Sequence, residues 1–354
     1  MARLGINFFN YVDRRQQTTT SMRILGIESS CDDTAAAVLA DGRHLLSSVI
    51  SSQDQIHSRF GGVVPELASR NHLENIHPIV CEALDRAQLT LQDIDLIATT
   101  QGPGLIGSLL VGFSYAKSLS YQTGIPYVGV DHMAGHLLAV FLEEDVEFPY
   151  VALIASGGTS SIFHVKSHTQ FLHLGRTRDD AAGEAFDKVA KLLGLPYPGG
   201  PHVSKSAAQG DPKAISFPRA WLEEESLDFS FSGVKTAVLN HCNQQKQKGI
   251  PLNLENICAS FQEAVVEVLV EKTIRAAKGS GVSTVVLGGG VSANPRLRSA
   301  FQQRCAEEGF RFHVPRPVFC TDNGAMIALA GYYKFRKVGA MTTNEDVYSR
   351  SALG

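Results

Sequence analysis

Two histidines stand four residues apart in 131-DHMAGH-136, between the apolar runs 125-IPYVGV-130 and 137-LLAVFL-142. With Asp131 in the position of an N-cap, His132 and His136 stack on one face of a starting helix. They are one turn apart, within reach of a single ion. The same residues also read as a solvated helix start, because histidine is often only a satisfied polar side chain. Zinc-protease chemistry is excluded at this pair. The H-E-x-x-H pattern needs a glutamate after the first histidine as general base, and this chain has Met133 there. A two-histidine site needs a third ligand, usually a carboxylate. The stretch 320-CTDNGA-325 offers Asp322 between a last strand and a last helix. There it can point into a cleft or simply cap the helix.

The densest acidic cluster is 179-DDAAGEAFDK-188. Read as part of a helix over 178–195, it puts Asp180, Glu184 and Asp187 on nearby faces. Acids at a helix start favour the dipole without any further role, so Asp179 and Asp180 need no function. Asp187 lies two turns in, beside Phe186 and Val189. That is a poor place for an idle charge, and it marks Asp187 as a functional candidate. Further on, 285-VVLGGGVSANPRLR-298 runs from a strand through glycines into a helix. Ser292 or Asn294 can cap that helix, and Pro295 suits its first turn. Asn294 also carries both a donor and an acceptor, as a ribose or a base edge requires. The dinucleotide fingerprint G-x-G-x-x-G is not met, since 288-GGGVSA-293 ends in alanine. No G-x-S-x-G nucleophile elbow occurs either.

The elements that must position these residues alternate. Residues 23–30 read as a buried strand ending in a polar turn. Residues 31–50 read as two strands joined at Asp41-Gly42, and residues 66–89 as a helix with apolar spacing at Leu67, Ile76, Ile79, Val80, Ala83 and Leu84. A strand at 94–100, a glycine loop at 101–107, a helix at 108–121 and a strand at 125–130 complete an α/β unit. A second unit opens at 149–165 with two strands joined by a glycine turn. It continues through mixed helices to about 278, a strand at 284–290, a helix at 293–309, a strand at 310–315 and a helix at 321–335. Each unit thus opens with strand, small or polar turn, strand: ILGIESSCDDTAAAVL, then VALIASGGTSSIFHV. With the late GGG strand this resembles the actin/Hsp70/sugar-kinase superfold, in which two similar α/β domains close on a nucleotide. Free N–H groups of such turns form anion nests, and glycine lets the backbone approach a phosphate.

The boundaries expected are an extension at 1–21, an N-terminal domain at 22–130 joined by the helix 322–340, and a C-terminal domain at 131–321. Length, 44% hydrophobic residues, 19% charged residues and a formal net charge of −3 fit two globular domains. No apolar run reaches the roughly 18 residues of a membrane span. Six cysteines without C-x-x-C pairing point to reduced thiols inside a cell, hence a cytoplasmic home. Residues 1–21 hold three arginines and one acid and have no secretory apolar core. They read as sequence upstream of a true start at Met22, or else as a transit peptide to an organelle.

Eight ordered blocks carry a closer likeness: 26-GIESSCDDT-34, 61-GGVVPELASRNH-72, 102-GPGLIGSLLVG-112, 132-HMAGH-136, 177-TRDDAAGEAFDKVAKLLGLPYPGGP-201, 228-DFSFSGVKT-236, 288-GGGVSAN-294 and 320-CTDNGAM-326. In these the chain resembles the tRNA N6-adenosine threonylcarbamoyltransferase family (TsaD-like, once mislabelled a glycoprotease) in its bacterial or organellar form, over about 23–340. The resemblance implies a divalent metal on His132, His136 and Asp322, iron ahead of zinc. It implies that Ile154, Ala155, Ser156, Gly157, Gly158, Asp187, Gly200 and Asn294 bind threonylcarbamoyl-AMP. The group would pass from that adenylate to N6 of the adenosine 3′ of the anticodon, in tRNAs reading codons that begin with A. No catalytic side chain is implied. Partners implied are tRNA, a smaller inactive TsaB-like paralogue docking on the N-terminal domain, and a TsaE-like P-loop ATPase; no membrane is implied.

One departure is Thr159, where the family commonly has histidine or asparagine after S-G-G. The acidic balance is also unlike the usual basic stripe of a tRNA binder. Local basic residues such as Arg176, Arg178, Lys188, Lys191, Lys205 and Lys235 offer positive charge near the motifs. An alternative reading is an ATPase or small-molecule kinase of the same superfold, with Asp32 or Asp187 holding Mg²⁺ over a γ-phosphate. That reading would not use a two-histidine metal site, since magnesium prefers oxygen ligands. A third reading, a non-catalytic scaffold, would be expected to lack the metal residues, which this chain retains.

Overall fold

The computed structural model describes residues 21–223, 225–342, 344–351 and 353. The extension at 1–21 therefore lies, except for Ser21, outside the described residues.

Two five-stranded sheets repeat one plan. In the first, β1 (Arg23–Glu28), β2 (Asp33–Ala40), β3 (His44–Ser52), β4 (Leu96–Gly102) and β5 (Tyr127–Asp131) lie in the order β3-β2-β1-β4-β5. In the second, β6 (Tyr150–Ala155), β7 (Ser160–Ser167), β8 (Gln170–Arg176), β9 (Thr284–Gly288) and β10 (Arg311–His313) lie in the order β8-β7-β6-β9-β10. In each sheet the first three strands form an antiparallel meander, and the last two add parallel to the opening strand. Strand β8 is a finding beyond the sequence reading, which saw only two strands here. Its residues alternate between exposed and half-buried, a weak signal next to the fully buried β6.

The helices cover these sheets. They are α1 (Asp54–His57), α2 (Pro65–Arg86), α3 (Ile106–Thr123), α4 (His132–Leu138), α5 (Ala182–Leu192), α6 (Gly199–Ala207), α7 (Ser232–Gln247), α8 (Leu254–Gly279), α9 (Pro295–Glu308), α10 (Pro317–Cys320) and α11 (Gly324–Val338). Local sequence sets several ends. Pro65, Pro295 and Pro317 occupy first turns, and Gly124 and Gly309 end α3 and α9 with left-handed backbone. The helix expected over 178–195 is shorter, because Asp179 and Asp180 serve other elements. The carboxylate of Asp179 accepts from the backbone of Phe231 and Ser232 and from the hydroxyls of Ser230 and Ser232, fixing the start of α7. Asp180 pairs with Lys188 and Lys235.

The two sheets are built around the site by close backbone contacts. α11 packs on β1, β2, β4 and β5 of the first sheet, and α4 touches β4 and β5 on one side and β6 and β9 on the other. A Cβ on Gly26 would meet the carbonyl oxygen of Gly324 at 2.1 Å, and one on Gly324 would meet the Ala37 nitrogen at 2.6 Å. Only glycine at both places lets α11 lie this near β1 and β2. That approach carries Asp322, just before α11, into contact with α4. All six cysteines are unpaired.

Candidate metal centre and the turns beside it

Strand β5 ends at Asp131, whose carboxylate accepts from the Met133 nitrogen at 2.9 Å and caps α4. The cap fixes the first turn, so His132 and His136 fall on one face as their spacing requires. Their Nε2 atoms lie 3.1 Å apart. Asp322 Oδ1 is 3.1 Å from His136 Nε2 and 3.5 Å from His132 Nε2. Three ligand atoms thus form a small triangle; among the described residues this is the one such group of three or more His, Cys, Asp or Glu. Asp322 is not the helix cap. Asn323 takes that role by accepting from the Met326 nitrogen, which leaves the aspartate free to face the histidines.

The triangle fits a divalent ion. Bonds of about 2.1 Å at angles between octahedral and tetrahedral put neighbouring ligand atoms roughly 3.0–3.4 Å apart. The separations of 3.1, 3.1 and 3.5 Å are close to that span. Charge agrees with geometry. Burial pushes the Asp322 carboxyl up, but the His132 and His136 rings outweigh it and hold it at about 2. Burial pushes His132 down, but Asp322 and Glu28 outweigh it and hold the imidazolium to about 9. The imidazoles and the carboxylate thus favour each other's charged forms, a setting that also suits a bound cation.

Glu28 is the functional residue the sequence reading missed. It is fully buried at the end of β1, and its Oε2 lies 3.0 Å from His132 Nδ1. Thr100 Oγ1 donates to the same carboxylate at 2.6 Å, and the Ser30 nitrogen donates to its other oxygen. A carboxylate behind the far nitrogen of a metal-ligating histidine sets its tautomer and raises its basicity. The signal was a lone acid closing the buried run 24-ILGIE-28. His136 has no such support, since its Nδ1 is buried without a partner.

The residues expected to hold the adenylate fall into three groups. Ile154 and Ala155 are fully buried in β6 and paired along it, so they carry the following turn rather than line it. In that turn the Ser156 nitrogen donates to the Thr159 carbonyl at 2.7 Å. Thr159 in turn donates its amide to the Ser156 hydroxyl. The amides of Gly157 and Gly158 make no hydrogen bond among the described residues, and a Cβ on either glycine would meet open space. They are free donors on an exposed turn. Asp187 accepts from the Gly199 nitrogen at 2.7 Å, and the Gly200 amide also points to it. Burial pushes its carboxyl up, partly offset by those two amides. It fixes the 196–200 loop at the start of α6, where Gly200 also faces open space. Asn294 is engaged internally: Oδ1 caps α9 at Arg296 and Leu297, and Nδ2 donates to Gln262.

The turn and the metal triangle share a wall. A Cβ on Gly289 would meet the Ala155 carbonyl at 2.4 Å, one on Gly288 would come within 3.3 Å of the His136 carbonyl, and one on Gly290 would lie 3.9 Å from Thr321 Cγ2. The glycine run 288–290 thus joins the end of β6, the back of α4 and the approach to Asp322. Three of the six local basic residues are tied up in ion pairs. Lys188 and Lys235 converge on Asp180, and Arg178 pairs with Glu223 and Asp228.

Comparison with known proteins follows the same lines. The profile of a family described as TsaD: tRNA N6-adenosine threonylcarbamoyltransferase matches residues 44–329. A tRNA N6-adenosine threonylcarbamoyltransferase of Desulfotalea psychrophila is 64% identical over 338 residues, covering 94% of this chain and 98% of that one. One of Moorella thermoacetica is 52% identical over 321 residues, covering 90% of this chain and 94% of that one. Among solved structures, full-length HypF in its phosphate- and nucleotide-bound form aligns with a TM-score of 0.61 at 15% identity, over 90% of this chain and 47% of that one. Component A of the (R)-2-hydroxyglutaryl-CoA dehydratase of Acidaminococcus fermentans aligns at 0.51 and 18% identity, over 89% of this chain and 99% of that one. At such identities the likeness is one of fold alone. With the repeated strand order, it makes this chain an α/β protein of two actin/Hsp70-like halves.

Proposed function

The chain belongs to the tRNA N6-adenosine threonylcarbamoyltransferase family and is a tRNA-modifying transferase; from that premise we propose the following reaction and apparatus. Threonylcarbamoyl-AMP donates its threonylcarbamoyl group to N6 of the adenosine 3′-adjacent to the anticodon in tRNAs reading ANN codons, and AMP leaves. The observation that carries the reading is the His132–His136–Asp322 triangle with Glu28 behind it, joined through glycines 288–290 to an open glycine turn.

The donor is a mixed anhydride, so its leaving group is already good. The exocyclic amine of adenine is a poor nucleophile, and the barrier lies in polarising and orienting the carbamoyl carbonyl. A divalent metal, iron ahead of zinc, supplies Lewis acidity toward a donor oxygen when bound. His132, His136 and Asp322 hold it, and Glu28 orients His132. The amides of Gly157 and Gly158 offer the phosphate preorganised donors. Asp187 holds the Gly199–Gly200 amides in place at the start of α6. The donor set of two imidazoles and one carboxylate suits iron or zinc better than magnesium, which disfavours the kinase or ATPase reading.

The tRNA surface is shared with partners, since three of the six local cations, Arg178, Lys188 and Lys235, are already held by acids. A smaller TsaB-like paralogue docks on the α2–α3 face, where Leu73, Ile106 and Leu110 are exposed. A TsaE-like ATPase joins that assembly. We place the protein in the cytoplasm; among the described residues no helix is long and apolar enough to cross a membrane.

The test is reconstitution. The purified chain, its partners, tRNA and enzymatically made threonylcarbamoyl-AMP should yield modified nucleoside and AMP in equal amounts. Chelation should stop the transfer, and added metal should restore it. Turnover unchanged by exhaustive chelation would overturn the metal's role; no transfer with metal and partners present would overturn the reaction.

A further inference from the structure

Strand β5 is the outer strand of its sheet, and an open strand edge needs cover. The cover is the segment after α11. The Met341 nitrogen donates to the Tyr127 carbonyl at 2.9 Å, and the Tyr127 hydroxyl donates to the Thr342 carbonyl at 2.7 Å. The chain then turns along the C-terminal ends of β4 and β5. Lys117 donates to the Glu345 carbonyl at 3.1 Å, Gln101 Nε2 to the Asp346 carbonyl at 2.7 Å, and the Tyr348 nitrogen to the Gln101 carbonyl at 3.1 Å. Tyr348 lies so close that a Cβ on Gly102 would meet its carbonyl oxygen at 2.1 Å. Val347 packs on the first-sheet core, and Leu353 packs between the two sheets.

The segment ends on one carboxylate. The Tyr348 hydroxyl donates to Asp131 Oδ2 at 3.0 Å, and the Ser351 hydroxyl donates to the same oxygen at 2.9 Å. Asp131 is buried, and its other oxygen caps α4. It immediately precedes His132. A second route runs beside the first. Gln101, which grips the segment through both its side chain and its carbonyl, adjoins Thr100, and Thr100 holds the Glu28 carboxylate behind His132. Both supports of His132, the helix it starts and the acid behind it, therefore rest against residues 346–351.

We propose that residues 341–342 and 344–351 act as a strap that sets the first turn of α4, with Tyr348 and Ser351 as positioning residues for His132. The hydroxyls fix the rotamer of Asp131, and that rotamer fixes the cap. Without them Asp131 keeps only part of its buried hydrogen bonding and can turn from Met133, which frees the helix start and widens the metal triangle. For its effect on a metal the inference rests on the proposed metal reading; for its effect on α4 it does not.

The experiment compares the wild-type full chain with the double variant Tyr348→Phe, Ser351→Ala, which keeps the packing of the ring and removes both hydroxyls. Two readouts are taken. The first is hydrogen exchange of the metal-free chain over α4, with β4 and β5 as internal reference. The second is Co²⁺ titration, read as affinity by competition with a chelator and as ligand geometry by the visible d–d spectrum. The strap predicts exchange at least tenfold faster in the first turn of α4, with β4 and β5 unchanged. It also predicts Co²⁺ affinity at least tenfold weaker, with altered band intensities. A further Asp131→Asn change, which keeps the cap acceptor, should not restore the wild-type spectrum. Unchanged exchange in α4 overturns the strap, whatever happens with cobalt. A wild-type chain that binds no cobalt overturns the metal reading, and the exchange data then decide the strap alone. A uniform rise in exchange that includes β4 and β5 assigns the segment to edge cover only and overturns the positioning role.

Discussion

Replacing Glu28 by glutamine keeps the side chain's shape and removes its charge. In the wild type the fully buried carboxylate sits at 3.0 Å from His132 Nδ1 and 2.6 Å from Thr100 Oγ1, with the Ser30 amide on its other oxygen. Glutamine has one acceptor oxygen, so its amide group must face at least one of these three donors. His132 loses a hydrogen bond to a charged partner, worth roughly 1.5–3 kcal/mol when buried. At about 1.4 kcal/mol per tenfold, metal affinity should fall about ten- to a hundredfold. That is the range typical when the group behind a metal-bound histidine is removed. The assay is competition for Zn²⁺ or Co²⁺ between the protein and a chromophoric chelator, run beside a thermal melt to show that the fold survives. An affinity within twofold of wild type, in a variant that melts normally, would refute the claim that Glu28 tunes His132.

The strap variant described above adds its own expected outcome, a first turn of α4 that exchanges at least tenfold faster. Asp33→Asn tests a half-buried acid at the start of β2. Burial, with Asp322 and Asp32 nearby, raises Asp33 from its usual 3.8 to about 7. A carboxyl held above its unfolded value costs stability as it ionises, so the wild type loses stability as pH rises from about 4 through about 7. Melts should show the variant more stable than wild type at pH 8 and similar to it at pH 4. Gly183→Ala would place a Cβ 2.5 Å from the Ser156 carbonyl and 2.8 Å from Gly157 Cα. Calorimetry should show a loss of about 1–3 kcal/mol, and binding of a non-hydrolysable adenylate analogue should weaken with the displaced turn. Asp187→Ala leaves the Gly199 and Gly200 amides without their acceptor. It should cost about 1–3 kcal/mol in denaturant melts and leave metal content by elemental analysis unchanged, since Asp187 is no part of the ligand triangle.

What could be read from sequence was what is set locally. Apolar runs gave β1, β2, β3 and β6, Pro295 marked the first turn of α9, and helical spacing put His132 and His136 on one face. Asp131 announced itself as a cap by position alone. What could not be read depends on contacts across the chain. Asp322 faces the histidines because Gly26 and Gly324 let α11 approach β1, a contact some 300 residues apart in sequence. Asp179 resembles a dipole-favouring acid of its own helix, yet it fixes the start of α7, more than 50 residues on. Glu28 looked like part of a polar turn until the fold placed His132 against it. Asn294 was legible as a cap, and the capping geometry with Gln262 occupies the side chain that also suited a nucleoside. The segment after α11 has no periodic pattern to read, since it is held by bonds to distant residues such as Lys117, Gln101, Tyr127 and Asp131.

The most direct test of the central claim is a nucleoside mass spectrum of tRNA from cells depleted of this protein and complemented with wild type or with His132→Ala. The expected result is that N6-threonylcarbamoyladenosine disappears on depletion, returns with wild type and stays absent with the variant. Persistence of the modified nucleoside after depletion, or its full return with His132→Ala, would contradict it.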